Sequence, residues 1–132
     1  MEKFEKLGLS KGLLEVLNEF GFKEPSEIQE KAIPLALAGR DIIGGSATGS
    51  GKTLVFASPI IENLKSNNGV QALILTPTRE LAEQVTKMIR KFSNKKELNV
   101  LAIYGGVDIN QQIRKIPNTD IVVGTPGRIL DH

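Results

Sequence analysis

Residues 41–64 read DIIGGSATGSGKTLVFASPIIENL, and the parsing of this stretch decides the fold. DIIGG (41–45) is a short apolar run of strand type, residues 46–53 (SATGSGKT) are a glycine-rich loop, and residues 51–64 carry a helical pattern. A strand that runs through such a loop into a helix aims backbone N–H groups and a helix N-terminus at an anion. Gly49 and Gly51 let the backbone curl without Cβ clashes. Lys52 can reach outer phosphates, and the Thr53 hydroxyl is a hard oxygen ligand suited to Mg²⁺. The general phosphate-loop pattern G-x-x-x-x-G-K-[ST] asks for glycine where this chain has Ser46. A glycine-rich turn ahead of a core helix is the plainer alternative. TGSGKT set between strand and helix favours a nucleotide.

Downstream, strand and helix patterns alternate. QALILT is a strand, and residues 79–92 are a helix whose apolar face is Leu81, Val85, Met88, Ile89 and Phe92. NVLAIYG is a strand, and DINQQIRKI a short helix with Ile109, Ile113 and Ile116 on one face. DIVVG is a further strand, and PGRILDH begins another helix. Such alternation demands crossover connections, hence an α/β domain with a mostly parallel sheet flanked by helices. Upstream, SKGLLEVLNEFGF places Leu13, Leu17 and Phe20 on one helical face, with Ser10 as N-cap and Gly21 as the stop. EPSEIQEKAIPLALAG reads as two short helices broken at Pro34, the second ending at Gly39.

The 132 residues, 40% hydrophobic and 24% charged, suit one soluble core. No stretch is long and apolar enough to span a bilayer, so no membrane partner is expected. The N-terminus, MEKFEKLGLS, has acidic residues and no continuous apolar run, so it does not read as a signal peptide. With no cysteine there are no disulfides or thiolate metal sites, which is compatible with the cytoplasm. Net charge is +2, but residues 1–78 hold 8 Lys/Arg against 9 Asp/Glu and residues 79–132 hold 9 against 6. This bias can help hold a polyanion, although on charge alone a solvated face is the plainer reading. Lys87, Arg90 and Lys91 lie off the apolar face of their helix and read as solubilising charges. His132 receives no role.

In GFKEPSEIQ (21–29), the Gln29 amide can donate and accept together and so read an adenine edge, while Phe22 can stack on the base. Spacing alone does not separate this from a core phenylalanine and a surface glutamine. The segment resembles the Q motif of DEAD-box RNA helicases, and Phe4, seventeen residues before Gly21, resembles that family's isolated upstream aromatic. In that family the phosphate loop reads A-x-T-G-x-G-K-T, with a small residue where Ser46 stands. PTRELA (77–82) resembles motif Ia, Gly105–Gly106 the glycine doublet, and TPGR (125–128) motif Ib.

The resemblance implies a RecA-like P-loop fold, incomplete at its C-terminus, in an ATP-dependent RNA helicase. ATP and Mg²⁺ would be bound by Phe4, Phe22, Gln29, Ala47, Thr48, Gly49, Ser50, Gly51, Lys52 and Thr53, with Lys52 and Thr53 serving catalysis. RNA would be held by its backbone, independent of sequence, at Pro77, Thr78, Arg79, Gly105, Gly106, Thr125, Pro126, Gly127 and Arg128. Hydroxyls, arginines and helix starts at the C-terminal ends of strands make a good phosphate-binding set. Residues 1–40 would be a Q-motif helical segment and 41–132 the front part of the first RecA-like domain. The partner would be a second RecA-like domain of the same parent chain.

No strand ends in a convincing metal-holding acid. Asp120 starts its strand and Asp108 follows the doublet. The family's Asp-Glu-Ala-Asp motif is expected just past His132, so residues 1–132 alone are expected to be inactive in hydrolysis. Two other readings compete. A small-molecule kinase would need a lid and an acid base of its own, and neither is found. A non-enzymatic RNA- or partner-binding module would keep the fold without turnover.

Overall fold

The computed structural model describes residues 2–45, 51–65 and 69–132. Ser46, Ala47, Thr48, Gly49 and Ser50 lie outside the described residues. The chain divides into two compact units, Met1–Asn63 and Leu64–His132. The helix Lys52–Asn63 packs on the helix Glu27–Leu37, so residues 52–63 group with the first unit.

The first unit is helical. It contains α1 (Glu2–Glu5), α2 (Lys11–Glu19), α3 (Glu27–Leu37) and α4 (Lys52–Asn63). Ser10 caps α2 by accepting from Leu13 N–H at 3.4 Å. The same residue donates its own N–H and hydroxyl to the two carboxylate oxygens of Glu62, near the end of α4, at 3.1 and 2.7 Å. Gly21 closes α2 with a left-handed φ of 82°, a conformation that glycine adopts without Cβ strain. Phe4, Leu13, Val16, Leu17, Ile33, Leu54 and Ala57 form the core. Phe20 stays 40% exposed, and Val16 takes the inward position that periodicity gave to it.

Two expectations are corrected here. Pro34 does not break the chain into two helices, since α3 runs through it. Pro34 and Glu30 are both exposed, so the Glu30 carbonyl, which loses its usual N–H partner, faces water. DIIGG does not form a strand: residues 41–45 are exposed and carry no regular structure. A strand exists only by pairing, and the described residues of this unit offer no other strand to pair with. In α4, Pro59 similarly frees the Val55 carbonyl, but at a half-buried position. The buried Ser58 hydroxyl donates to that oxygen at 3.3 Å and replaces the missing bond.

The second unit is a three-stranded parallel sheet with helices. Its elements are β1 (Ala72–Leu75), α5 (Arg79–Phe92), β2 (Val100–Ile103), α6 (Ile109–Lys115), a 3-10 turn (Ile116–Asn118), β3 (Ile121–Gly124) and α7 (Pro126–Asp131). The strand order is β1-β3-β2, all parallel. The central β3 is buried along its whole length, which accounts for its unbroken apolar run. Leu75, Gly124 and Ile103 are in register, so the three strands end level. Ala82, Val85, Ile89 and Phe92 of α5 pack on β2 and β3.

Asp120 is buried at the start of β3 and accepts from Asn99 N–H at 2.8 Å, a structural role at the far end of the sheet from the motifs. Arg90 is not merely a solubilising charge, because its Nη2 donates to the Val100 carbonyl at 2.8 Å. On α6, Ile113 is 48% exposed and Gln112 is the buried residue. On α5, Leu81 is exposed and Thr86 is buried instead, its hydroxyl donating to Ala82 O at 2.7 Å.

Candidate functional site

Two groups of predicted residues can be described, one in each unit. In the first, Ser26 is the N-cap of α3 and accepts from Gln29 N–H, while Gln29 Oε1 accepts from Ser26 N–H at 2.9 Å. This capping box explains why S-E-I-Q is spaced as it is. The Gln29 Nε2 then donates to the carbonyl of Gly51 at 3.2 Å. Gln29 is 3% exposed, so one buried amide ties the start of α3 to the residue that opens α4. Each amide atom keeps one further hydrogen-bonding position, a second lone pair on Oε1 and a second proton on Nε2.

Gly51 has φ 88°, and a Cβ there would overlap Gln29 Nε2. Glycine is therefore required on two counts, conformation and space. Lys52 begins α4 with its side chain exposed, and Thr53 is half-buried beside it. Phe4 is fully buried, and its ring meets Phe22 edge-to-face at 6.5 Å. Phe22 is half-buried, so of the two aromatics it alone has surface to offer a ligand, with Phe4 supporting it from behind.

A metal fits this end only through oxygen donors such as the Thr53 hydroxyl together with a ligand's own oxygens. Among the described residues no cluster of His, Cys, Asp or Glu could hold an ion.

In the second unit the residues of three separate motifs converge on one turn. Pro77 and Thr78 follow β1, Gly105 and Gly106 follow β2, and Thr125 to Arg128 follow β3. Thr78 caps α5 by accepting from Leu81 N–H at 3.2 Å. Gly106 has φ 86°, and a Cβ on it would come within 3.1 Å of Arg79 Nη1. Arg128 Nη1 donates to the Val107 carbonyl at 2.9 Å and reaches Gln112 Oε1 at 3.4 Å. Arg128 thus holds the turn, and Arg79 lies beside it. Gly105 and Gly127 face open space.

The two arginines differ. The Arg128 side chain is 17% exposed and spends its donors on Val107, Gln112 and an ion pair with Asp131 at 3.8 Å. The Arg79 side chain is 51% exposed. Its guanidinium carbon lies 4.7 Å from the centre of the Tyr104 ring, and its Nε is 3.5 Å from Glu83 Oε1. The Tyr104 hydroxyl donates to that same Glu83 oxygen at 2.8 Å. This hydroxyl, and then Arg79, hold the Glu83 carboxyl below the usual carboxylate range. Glu83, followed by burial, pushes the Tyr104 phenol up.

Three residues here escape a motif reading. Glu83 carries a signal, since it stands four residues after Arg79 on one helix face. Gln112 carries another, three residues after Ile109 on the inward face, where its Nε2 donates to the Tyr104 carbonyl at 3.0 Å. Tyr104 directly precedes the doublet, and nothing in its spacing marks its contact with Arg79. His132 Nε2 lies 3.2 Å from Gln112 Oε1 at the border of this network.

Residues 26–132 match the model of the DEAD/DEAH box helicase family. The chain is 54% identical, over its whole length and 26% of the relative's, to the ATP-dependent RNA helicase CshA of Listeria monocytogenes. It therefore spans about a quarter of that curated relative. Among solved structures, a DEAD box protein from the hyperthermophile Methanococcus jannaschii superposes with a TM-score of 0.94 at 50% identity, covering 98% of this chain and 36% of that one. The RNA helicase Prp28 from Chaetomium thermophilum, bound to ADP, superposes with a TM-score of 0.85 at 42% identity, covering 96% and 33%. The described residues contain no helix long and apolar enough to cross a membrane. The fold is the RecA-like α/β fold of these helicase domains, and the chain belongs to the DEAD/DEAH box helicase family.

Proposed function

We propose that this chain is the nucleotide- and RNA-contacting front part of an ATP-dependent RNA helicase that acts in the cytoplasm with a second RecA-like domain as partner. The observation that carries the reading is the convergence of Arg79, Gly105–Gly106 and Arg128 on one turn, at the level where three parallel strands end. Ligands of open parallel sheets bind at that end. A half-exposed guanidinium beside an open glycine backbone suits a phosphodiester and leaves the bases unread.

The nucleotide end is read the same way. Lys52 takes the outer phosphates as a point charge. The Thr53 hydroxyl would hold Mg²⁺, which would neutralise phosphate charge. Gln29 reads the adenine edge with its remaining lone pair and proton, and Phe22 stacks on the base. The Gln29–Gly51 bond supports this, because it links base recognition to the phosphate loop through one side chain. Residues 1–40 supply the base-reading part and residues 41–132 the phosphate and RNA parts.

The experiment is phosphate release from ATP with and without single-stranded RNA, in the parent protein and in its Lys52→Ala variant. RNA-stimulated release that vanishes in the variant is expected. RNA binding with no turnover in the parent would favour the non-enzymatic module instead.

A further inference from the structure

We propose that Tyr104 is a positioning residue that, with Glu83, fixes the Arg79 guanidinium in the orientation that meets an RNA phosphate. The inference rests on the reading of Arg79 given above and adds a residue outside every motif. An arginine at a helix start, half-exposed, would normally sample many rotamers, and binding would have to freeze them. Here the freezing is done in advance. The ring of Tyr104 lies under the guanidinium at 4.7 Å, the Arg79 Nε faces Glu83 Oε1 at 3.5 Å, and the tyrosine hydroxyl donates to that same oxygen at 2.8 Å. The three groups form a closed cycle in which each restrains the other two.

The backbone makes the cycle possible. Tyr104 is the first residue after β2, and Arg79 is the first of α5. The Tyr104 carbonyl is held by Gln112, so its ring is anchored at the main chain too. The glycine at position 106 leaves room for the arginine beside the turn, where a Cβ would crowd Nη1. Glu83 is ionised at neutral pH as any ordinary carboxylate is, and the Tyr104 hydroxyl shifts its pKa further down. A tyrosine does here what neither phenylalanine nor leucine can do in full. Phenylalanine keeps the stacking face and loses the link to Glu83, and leucine loses both.

The test is equilibrium binding of a short single-stranded oligouridylate to the full protein over a range of salt concentrations. Variants are Arg79→Ala, Tyr104→Leu, Tyr104→Phe and the Arg79→Ala/Tyr104→Leu double substitution, each with its thermal midpoint recorded. Arg79→Ala should weaken binding and reduce the salt slope by about one. Tyr104→Leu should weaken it by about three- to fivefold and flatten the slope, and Tyr104→Phe should fall between Tyr104→Leu and the unmodified protein. In the Arg79→Ala background Tyr104→Leu should cost nothing more. Three results overturn the proposal. If Arg79→Ala weakens binding and Tyr104→Leu does not, Arg79 needs no positioning. If Tyr104→Leu costs as much with Arg79 absent, the ring contacts RNA on its own account. If Arg79→Ala leaves affinity unchanged, the phosphate-contact reading of Arg79 falls first. Should Tyr104→Leu fail to fold, Tyr104→Phe still decides, since affinity equal to the unmodified protein removes the hydroxyl link from the mechanism.

Discussion

Gln29→Glu separates the two bonds that one buried amide makes. The acceptor Oε1, which takes the Ser26 N–H at 2.9 Å, survives the change, while the donor Nε2, 3.2 Å from the Gly51 carbonyl, becomes an oxygen. Two acceptors then face each other at a site that is 3% exposed. Losing the bond and leaving a buried acceptor unpaired costs about 1–3 kcal/mol. A negative charge at the first turn of α3 returns about 0.3–1 kcal/mol through the helix dipole. The net loss is about 1–2 kcal/mol, which lowers the thermal midpoint by a few degrees.

The loss depends on pH with a definite sign. Burial and the Gly51 oxygen both disfavour the charged form of the introduced carboxyl, so its folded pKa lies above the ordinary value. Below the ordinary value it is protonated, donates to Gly51 and restores the link. As pH rises through the ordinary value toward the folded one, the deficit opens to its full size. Urea denaturation at a series of pH values measures it. A variant as stable as the parent at neutral pH, with no change on acidification, would refute the argument that Gly51 depends on this donor.

Four further outcomes follow from particular contacts. Gly124→Ala places a Cβ 2.7 Å from the Ile103 carbonyl and 2.6 Å from Ile129 Cδ1; the isoleucine can move but the carbonyl is held by Thr125 N–H, so a loss of about 1–3 kcal/mol in urea denaturation is expected. Ser58→Ala leaves the Val55 carbonyl without a donor beside Pro59 and should cost about 1 kcal/mol by the same measurement. Lys52→Ala should strongly weaken ATP and ADP binding in calorimetry without moving the thermal midpoint, because the side chain is exposed. ATP and ADP should bind better than GTP and GDP, and Gln29→Ala should erase that preference; equal binding of both bases by the unmodified protein would remove the adenine-reading role.

The second unit was largely legible in the sequence because its signals are local. The helix 79–92 has an apolar stripe with Thr78 as a cap, and β3 is an unbroken apolar run, so period and length identify both. The motif residues after each strand were legible as well. Parallel strands that end level bring short following segments together whatever lies between them. DIIGG misled because its composition is that of a strand, whereas strand formation depends on a neighbour that composition does not contain. Pro34 misled because the cost of a proline in a helix depends on whether the orphaned carbonyl is wet. Pro59 shows the other solution, a serine one residue earlier. Tyr104 was hidden because its role comes from contacts with residues 8 to 25 positions away in the chain, and no periodic pattern reports such pairs.

The bonds from Arg90 and Gln112 to the sheet have a consequence for how that sheet can associate. Alternate residues of β2 face β3, as the Asn99 and Ile103 carbonyls do. By alternation Val100, Ala102 and Tyr104 turn their main-chain groups to the other side. An outermost strand with a free row of such groups is a template for any extended chain that meets it. Here Arg90 of α5 fills the Val100 carbonyl and Gln112 of α6 fills that of Tyr104, one stopper at each end of the row. Only Ala102 lies between them, too little for a ladder. A further strand meeting β2 would find two of its three outward carbonyls already taken, so this edge is a poorer template than one whose row is open.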